Sequence, residues 1–375
     1  MRGPTFRPLD YEIFAGLDVD KRSIAVTFTT HQGFLKSLCM PYSVEHLLNH
    51  VRKHFPGQKV AFAYEAGPTG YGLYDGLVAQ AYPCLIASPA MIPKAPGQRV
   101  KTNRLDSRGL SENLRGGQLT SIHVPSAVYR ELRHLTQLRD TFVSEMVAMK
   151  QRIKSLLVVE GIEFPPAPAG SQWSVLVKNQ LRTLPCSPTV RLKLEQLLDS
   201  LAFNEQQVVK TTKEIRRFCQ HEPELVQTIK YLLTLPGIGW VVASQLVARI
   251  GDWRALSNSR QLAGFLGLVP TEHSTGDRTQ RGSITHTGDP RLRSKLIQAS
   301  WSAIRQDGEL REFFRSVCKT HPRPLAARVA IVAVARKLSV RIAVVLRHHR
   351  AYEIRKPLPS APLTQEETGS QGTPR

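Results

Sequence analysis

Residues 13–29, IFAGLDVDKRSIAVTFT, decide the architecture of the first third of the chain. Ile13–Val19 and Ile24–Thr29 are apolar, strand-like runs, and the polar turn Asp20-Lys21-Arg22-Ser23 separates them. Gly33–Leu38 adds a third strand. Outward from there, Ser43–His54 carries a helical pattern and Lys59–Glu65 is another apolar run. Gly70–Gln80 reads as helix, and Cys84–Ser88 as a short buried strand ended by Pro89. A meander of three strands followed by strands alternating with helices predicts an α/β layer fold with a mixed sheet.

Carboxylates stand at the ends of these elements. Asp18, in FAGLDVD, lies near the end of the first strand, and Glu65, in AFAYEAG, ends another. A carboxylate at the edge of a buried strand is costly to hold unless it is paired or ligates a cation. Asp106, in KTNRLDSRGLSENL, falls where a helix should begin, a position that also suits an N-cap. Asp20 reads as a turn former, and a salt bridge is the other reading of Glu65. Three carboxylates from separate elements, converging at strand ends, suit a magnesium site for phosphoryl transfer, because hard oxygen ligands hold that ion.

The pattern changes to long helix over Ser126–Gly161, where Leu135, Phe142, Met149 and Leu156 recur every seven residues. After a proline-rich break, Leu194, Leu201, Val208 and Ile215 repeat the rule. Two matched stripes predict an antiparallel helical hairpin, a coiled-coil dimer arm or ordinary core helices. The domains expected are thus 1–125, an α/β domain; 126–220, a helical coiled-coil or dimerisation region; 221–350, a mostly α-helical C-terminal domain; and 351–375, a polar tail read as disordered.

Lys and Arg number 51 against 30 Asp and Glu, a net charge of +21. Such an excess favours polyanions, since each neutralised phosphate releases counterions. It is concentrated: Arg278–Arg350 holds 16 basic and four acidic residues, a net of +12. The five scattered cysteines, with no CxxC spacing, argue for a reducing compartment and against a structural zinc site. The N-terminus has no apolar signal region, and the uncharged window Tyr231–Ala248 contains Pro236, Gly237 and Gly239, so it reads as a turn between buried helices rather than a span. A cytoplasmic protein without membrane contact is expected.

That window belongs to LTLPGIGWVVASQLVARIG, a helix, a turn and a helix. Gly237 and Gly239 allow close backbone approach, and the N–H groups opening the second helix suit a phosphate oxygen. This helix–hairpin–helix pattern grips a DNA backbone without reading its sequence; a tight turn between packed helices is the other reading. Next comes GFLGLVPTEHSTGDRTQRGSITHTGDPRLRSKLIQASW, rich in Gly and Thr, with Asp289 and Pro290 opening a helix. Ser274 lies in its loop without a GxSxG elbow, so a hydrolase triad is poorly supported. His273 and His286 are candidate bases or phosphate contacts.

Together GLDVDKRSIAV, YEAGPTGYGLY, VKTNRLDSRGL, LPGIGWVVASQLVARIGD and GLVPTEHSTGDRTQRGSITHTGDPRLR resemble, in order, the transposases of insertion-sequence family 110, which include bridge-RNA-guided recombinases and are related to Piv-type DNA invertases. The resemblance covers residues 12–350. It implies a RuvC-like (ribonuclease H-like) N-terminal domain with a DEDD-type acidic site, in which Asp18 and Glu65 take the first two positions. In the motif Lys-Thr-Asp-x-x-Asp, Asn103 replaces the third acid and Asp106 matches the fourth, leaving a magnesium site with one negative charge fewer. It implies a helical dimerisation region and a C-terminal transposase domain whose nucleophilic serine corresponds to Ser274, with Thr275 as the alternative. The activity implied is cutting and rejoining of donor and target DNA through a covalent phosphoserine, guided by a structured noncoding bridge RNA, in a dimer or tetramer near the prokaryotic nucleoid. Expected nucleic-acid contacts are Lys101, Arg104, Gly237, Gly239, Arg278, Arg281, Arg291 and Arg293. Two rivals remain: a RuvC-like nuclease or junction resolvase that uses water, and a non-catalytic nucleic-acid-binding scaffold.

Overall fold

Period-two alternation along β1 (Ile13–Val19) sends Phe14, Gly16 and Asp18 to one face of a sheet and Ile13, Ala15 and Leu17 to the other. The computed structural model describes residues 6–93, 102–167, 172–251, 253, 258–272 and 281–354. It divides the chain into two compact units, Met1–Ser126 and Ala127–Arg375.

In the first unit β1 pairs antiparallel with β2 (Ser23–Thr30), which pairs antiparallel with β3 (Gly33–Pro41) across a register shift at Phe28/Thr29. On its other side β1 runs parallel to β4 (Val60–Glu65), and β4 parallel to β5 (Cys84–Ala87), giving the order β3-β2-β1-β4-β5. The helices α1 (Val44–His54) and α2 (Gly72–Ala79) supply Leu47, Leu48, Val51, Leu73 and Leu77 to the core on one face. Ser43 opens α1 by accepting from the His46 N–H. The other face is covered by α3 (Asn103–Arg115), whose Leu110 and Leu114 pack with Phe14, Ala61, Ala63, Leu85 and Ala87. The mixed sheet expected from the sequence is therefore present, with β3 three residues longer than its apolar run.

The second unit is almost wholly helical. Its long helices α4 (Ala127–Val159) and α6 (Pro188–His221) form an antiparallel hairpin. Met149, Ile153 and Leu156 share one cluster with Leu194, Leu198 and Leu201, to which α5 (Val175–Thr183) adds Val177 and Leu181. At the other end Tyr129 and Leu132 join Ile215 and Cys219 in a larger core. That core also takes in α7 (Pro223–Leu233), α8 (Trp240–Ile250), α9 (Gln261–Phe265), α10 (Pro290–Gln306), α11 (Gly308–Lys319) and α12 (Arg323–His348). Met149 and Leu156 of one stripe thus pack with Leu194 and Leu201 of the other within the chain, and residues from both 126–220 and 221–350 contribute to the larger core. A two-stranded antiparallel ribbon, β6 (Pro270–Glu272) and β7 (Arg281–Ile284), lies between α9 and α10. Among the described residues no helix is long and apolar enough to cross a membrane.

Candidate active site

The register of β1 on β4 fixes two of the acids. Ile13 stands opposite Val60 and Leu17 opposite Tyr64, so the next step places Asp18 beside Glu65 at the C-terminal edge of two parallel strands. Neighbours in parallel register share a face, and here it is the face that α3 covers. Gly16 lets that helix approach: a Cβ there would lie 2.2 Å from the Ser107 carbonyl oxygen and 2.3 Å from the Ser111 nitrogen. Hydroxyls fix the seat, with Ser111 donating to the Phe14 carbonyl at 3.0 Å and Thr29 meeting Ser111 at 2.8 Å. Thr27 meets Ser107 at 2.9 Å.

These contacts set the direction of α3. Ser111 lies over Phe14 and Ser107 over Gly16, so one more turn towards the helix start carries Asn103 towards Asp18. One helical turn and two strand residues cover similar lengths, about 5.4 Å and 6.6 Å. Asp106 continues the line of Leu110 and Leu114, which pack on β4 and β5, and so leads towards Glu65. Thr102 caps the helix by accepting from the Leu105 N–H, and the positive end of α3 faces the same edge. Asp18 and Asp106 are half-buried, whereas Glu65, Asn103 and Arg104 are exposed. The donor set suits a hard divalent cation in kind. Among the described residues, however, no three His, Cys, Asp or Glu side chains are grouped closely enough to hold a metal ion. The register and the seat of α3 lead these four positions towards one edge, where the described carboxylates do not close into a ligand shell. Lys101 lies outside the described residues.

In the second unit the turn between α7 and α8 divides its glycines between two roles. Gly237 has φ +75°, its N–H donates to the Gln306 side-chain oxygen at 2.9 Å, and a Cβ would lie 2.3 Å from the Ala299 carbonyl oxygen. It is packed on α10. Gly239 is exposed, opens α8 without a side-chain cap, and has nothing within 4 Å of where a Cβ would stand. It keeps the open helix start that a phosphate would need. Ser274, with His273, Thr275 and Arg278, lies in the segment joining β6 to β7, outside the described residues. Arg281 opens β7.

The DEDD transposase family model matches residues 15–160. A second model, described as the transposase IS116/IS110/IS902 family, matches residues 229–315. The Sinorhizobium fredii protein y4qE, which carries a transposase name, is 32% identical over 302 residues, covering 78% of this chain and 72% of its own. The chain belongs to the IS110 family of transposases. The transposase for insertion sequence element IS1328 of Yersinia enterocolitica is 29% identical to it, over 55% of this chain and 59% of its own. The pilin gene-inverting protein of Moraxella bovis is 27% identical, over 42% of this chain and 48% of its own. This transposase is accordingly an enzyme acting on DNA. The first match takes in the sheet from Ala15 onward, with its acids, and the second runs from α7 through the ribbon into α11.

Two further features of the transposase domain were not expected. Arg291 is exposed at the start of α10, but Arg293 is turned inward. Its guanidinium donates to the carbonyls of Leu266 at 3.1 Å and of His286 and Thr287, each at 3.3 Å. These hydrogen bonds, all from Nη1, hold protein backbone. Deeper in, Asp140 of α4 accepts from the Lys295 ammonium and, at 2.8 Å, from the Gln245 amide, joining α4, α8 and α10. Burial pushes the Lys295 pKa down, against the pull of Asp140. The available sequence signal for Asp140 is its polar character within an otherwise heptad-patterned helix.

Proposed function

We propose that the transposase cuts and rejoins DNA at donor and target sites with a serine nucleophile, Ser274, assisted by an acidic magnesium site built from Asp18, Glu65, Asn103 and Asp106. The observation that supports the reading is the parallel register of β1 on β4, which ends at Leu17 opposite Tyr64, one step before Asp18 and Glu65. The sheet order, with an antiparallel meander joined to parallel β1, β4 and β5, supports a ribonuclease H-like (RuvC-like) fold. When bound, magnesium would offset charge on the attacking and leaving oxygens. Asn103 offers a carbonyl oxygen where an acid would bring a further negative charge.

A serine hydroxyl is neutral at pH 7 and must lose its proton as its oxygen attacks. In the proposed step a phosphorus–oxygen bond forms to Ser274 while the bond to the leaving strand oxygen breaks, and that oxygen takes up a proton. Attack by a strand-end hydroxyl on the phosphoserine reverses these changes and rejoins the backbone. Gly239 with the start of α8, Arg104 and Arg291, together with Lys101, Arg278 and Arg281 from the sequence, supply backbone contacts. A bridge RNA as guide and a dimer or tetramer as the working form complete the reading, as does action in the prokaryotic cytoplasm. The test is chemical. Trapping the reaction on a nicked substrate, followed by digestion and mass spectrometry, should find the DNA adduct on Ser274. Cleavage by Ser274→Ala that leaves free 5′-phosphate ends would instead establish a water-using nuclease.

A further inference from the structure

Along the solvent face of α10, Arg291, Ser294, Gln298, Trp301 and Arg305 follow one another at steps of three and four residues, and all five are exposed. They form one stripe of the helix, about 21 Å long at 1.5 Å per residue. The helix carries Arg291, Arg293, Lys295 and Arg305 and no Asp or Glu. Among the described residues neither Arg291 nor Arg305 forms an ion pair. One exposed apolar side chain is ordinary on a protein surface. Trp301 differs in how it is held. The residue is 43% exposed, yet its ring meets Phe314 of α11 in a T-shaped contact, with centroids 5.7 Å apart and planes at 63°. Arg311, three positions before Phe314, donates to the carbonyls of Ile304 at 3.0 Å and of Arg305 at 2.8 Å. One side of α11 thus fixes both the indole and the end of α10. Glu312 is two positions from Phe314 and so stands on the opposite side of α11. The result is a fixed aromatic ring with the Arg305 guanidinium one turn along the same face.

We propose that this face of α10 receives a single strand of the DNA substrate, with an unpaired base against Trp301 and a neighbouring phosphate at Arg305. A duplex keeps its base faces stacked on one another and shows only base edges in its grooves. An aromatic ring beside a cation suits a base that has left the stack, because every base has a π-face. The setting rests on the cut-and-rejoin reading, since breaking and exchanging strands exposes such bases, but the surface itself needs neither Ser274 nor the acidic site. Charge favours this occupant over a protein. A second copy of a chain with net charge +21 would bring like charge to an acid-free helix, whereas a single strand brings phosphates.

Binding of labelled oligothymidylate, and of a duplex of equal length, to the full chain without magnesium decides it by fluorescence anisotropy. Trp301→Leu keeps an apolar side chain against Phe314 and removes the ring. It should weaken oligothymidylate binding about tenfold, as loss of one stacked base does, and change duplex affinity by less than about twofold. Its log–log salt slope should match that of the unmodified protein, whereas Arg305→Gln should lower the single-strand slope by about 0.7, the share of one phosphate. Trp301→Phe, which retains a ring, should recover most of the loss. Equal weakening on both DNAs, no weakening on the single strand, or a Trp301→Phe variant no better than Trp301→Leu would each overturn the proposal. Weakening on oligouridylate alone would overturn it in favour of an RNA surface. A smaller species in sedimentation, with both DNA affinities unchanged, would make the face a protein interface instead. Should Trp301→Leu lose the fold, Arg305→Gln still decides, because an unchanged slope removes the phosphate contact and the proposal with it. If Ser274→Ala still cleaves, the serine reading fails, while these affinities continue to judge α10 on their own.

Discussion

Asp140 is 9% exposed at its side chain and balanced against an ammonium that burial itself disfavours. Removing one member of such a pair leaves a charge without its partner. Asp140→Ala should therefore destabilise the helical unit by about 3 kcal/mol, read as a lower midpoint in chemical denaturation. An unchanged midpoint would show that water or a neighbour replaces the carboxylate. A different result is expected at Asp18. Asp18 is half-buried at the end of a strand, and on the proposed acidic site Asp18→Ala should abolish recombination while duplex binding stays nearly intact; recombination at the unmodified rate would count against Asp18 as an active-site acid. These two carboxylates also show how far residues can be read from a sequence. The position of Asp18 near the end of β1 was legible from the apolar run before it, and period two then gives its face. Asp140 was not, because its partners, Lys295 and Gln245, lie 155 and 105 residues away.

At the scale of elements, heptad spacing identified the buried sides of α4 and α6 but not what covers them. Leu201 and Ile153 are fully enclosed within the hairpin, so charging either would test its core rather than self-association. Among the apolar side chains left outside along its length are Leu138, Val147, Phe203 and Val209, between 46% and 57% exposed. If copies of the transposase associate along this hairpin, Leu138→Glu with Phe203→Glu should dissociate them in sedimentation without lowering thermal stability. An intact oligomer would place the interface elsewhere. Where α10, α11 and α12 meet, burial alone would raise the Asp307 pKa, but the Leu310 N–H, the Tyr352 hydroxyl and Arg341 outweigh it and hold it low. Lys337 leads the same effect on Glu309. A carboxylate with a depressed folded pKa stabilises the protein above its unfolded pKa and loses that contribution as pH falls through the folded value. Stability should thus decline on acidification below about pH 4.5, from the ordinary carboxylate values downward, and Asp307→Asn should flatten the decline. An identical pH profile in that variant would exclude Asp307 as a contributor.

For the molecule as a whole, the net charge of +21 makes affinity for nucleic acid a property of salt as much as of sequence. Duplex binding should weaken steeply between about 50 and 200 mM salt, with each phosphate contact adding about 0.9 to the log–log slope. A slope near zero would exclude backbone contacts as the main source of affinity. The boundary after Ser126 falls where strands alternating with helices give way to long helix with a seven-residue repeat. The role of Arg293 was not visible in the sequence, because it looks like any basic residue in a basic segment until its three carbonyl partners are placed around it.

The gap between α3 and β1 is set by the absence of a single carbon atom. With no side chain at Gly16, the helix rests on strand backbone, and Ser107 and Ser111 dock as fixed pins. Gly16→Ala would act as a wedge, lifting the start of the helix and carrying Asn103 and Asp106 away from Asp18 and Glu65 while every acid stayed chemically intact. On the proposed acidic site, thickening the joint between two layers would disable the transposase with no carboxylate altered.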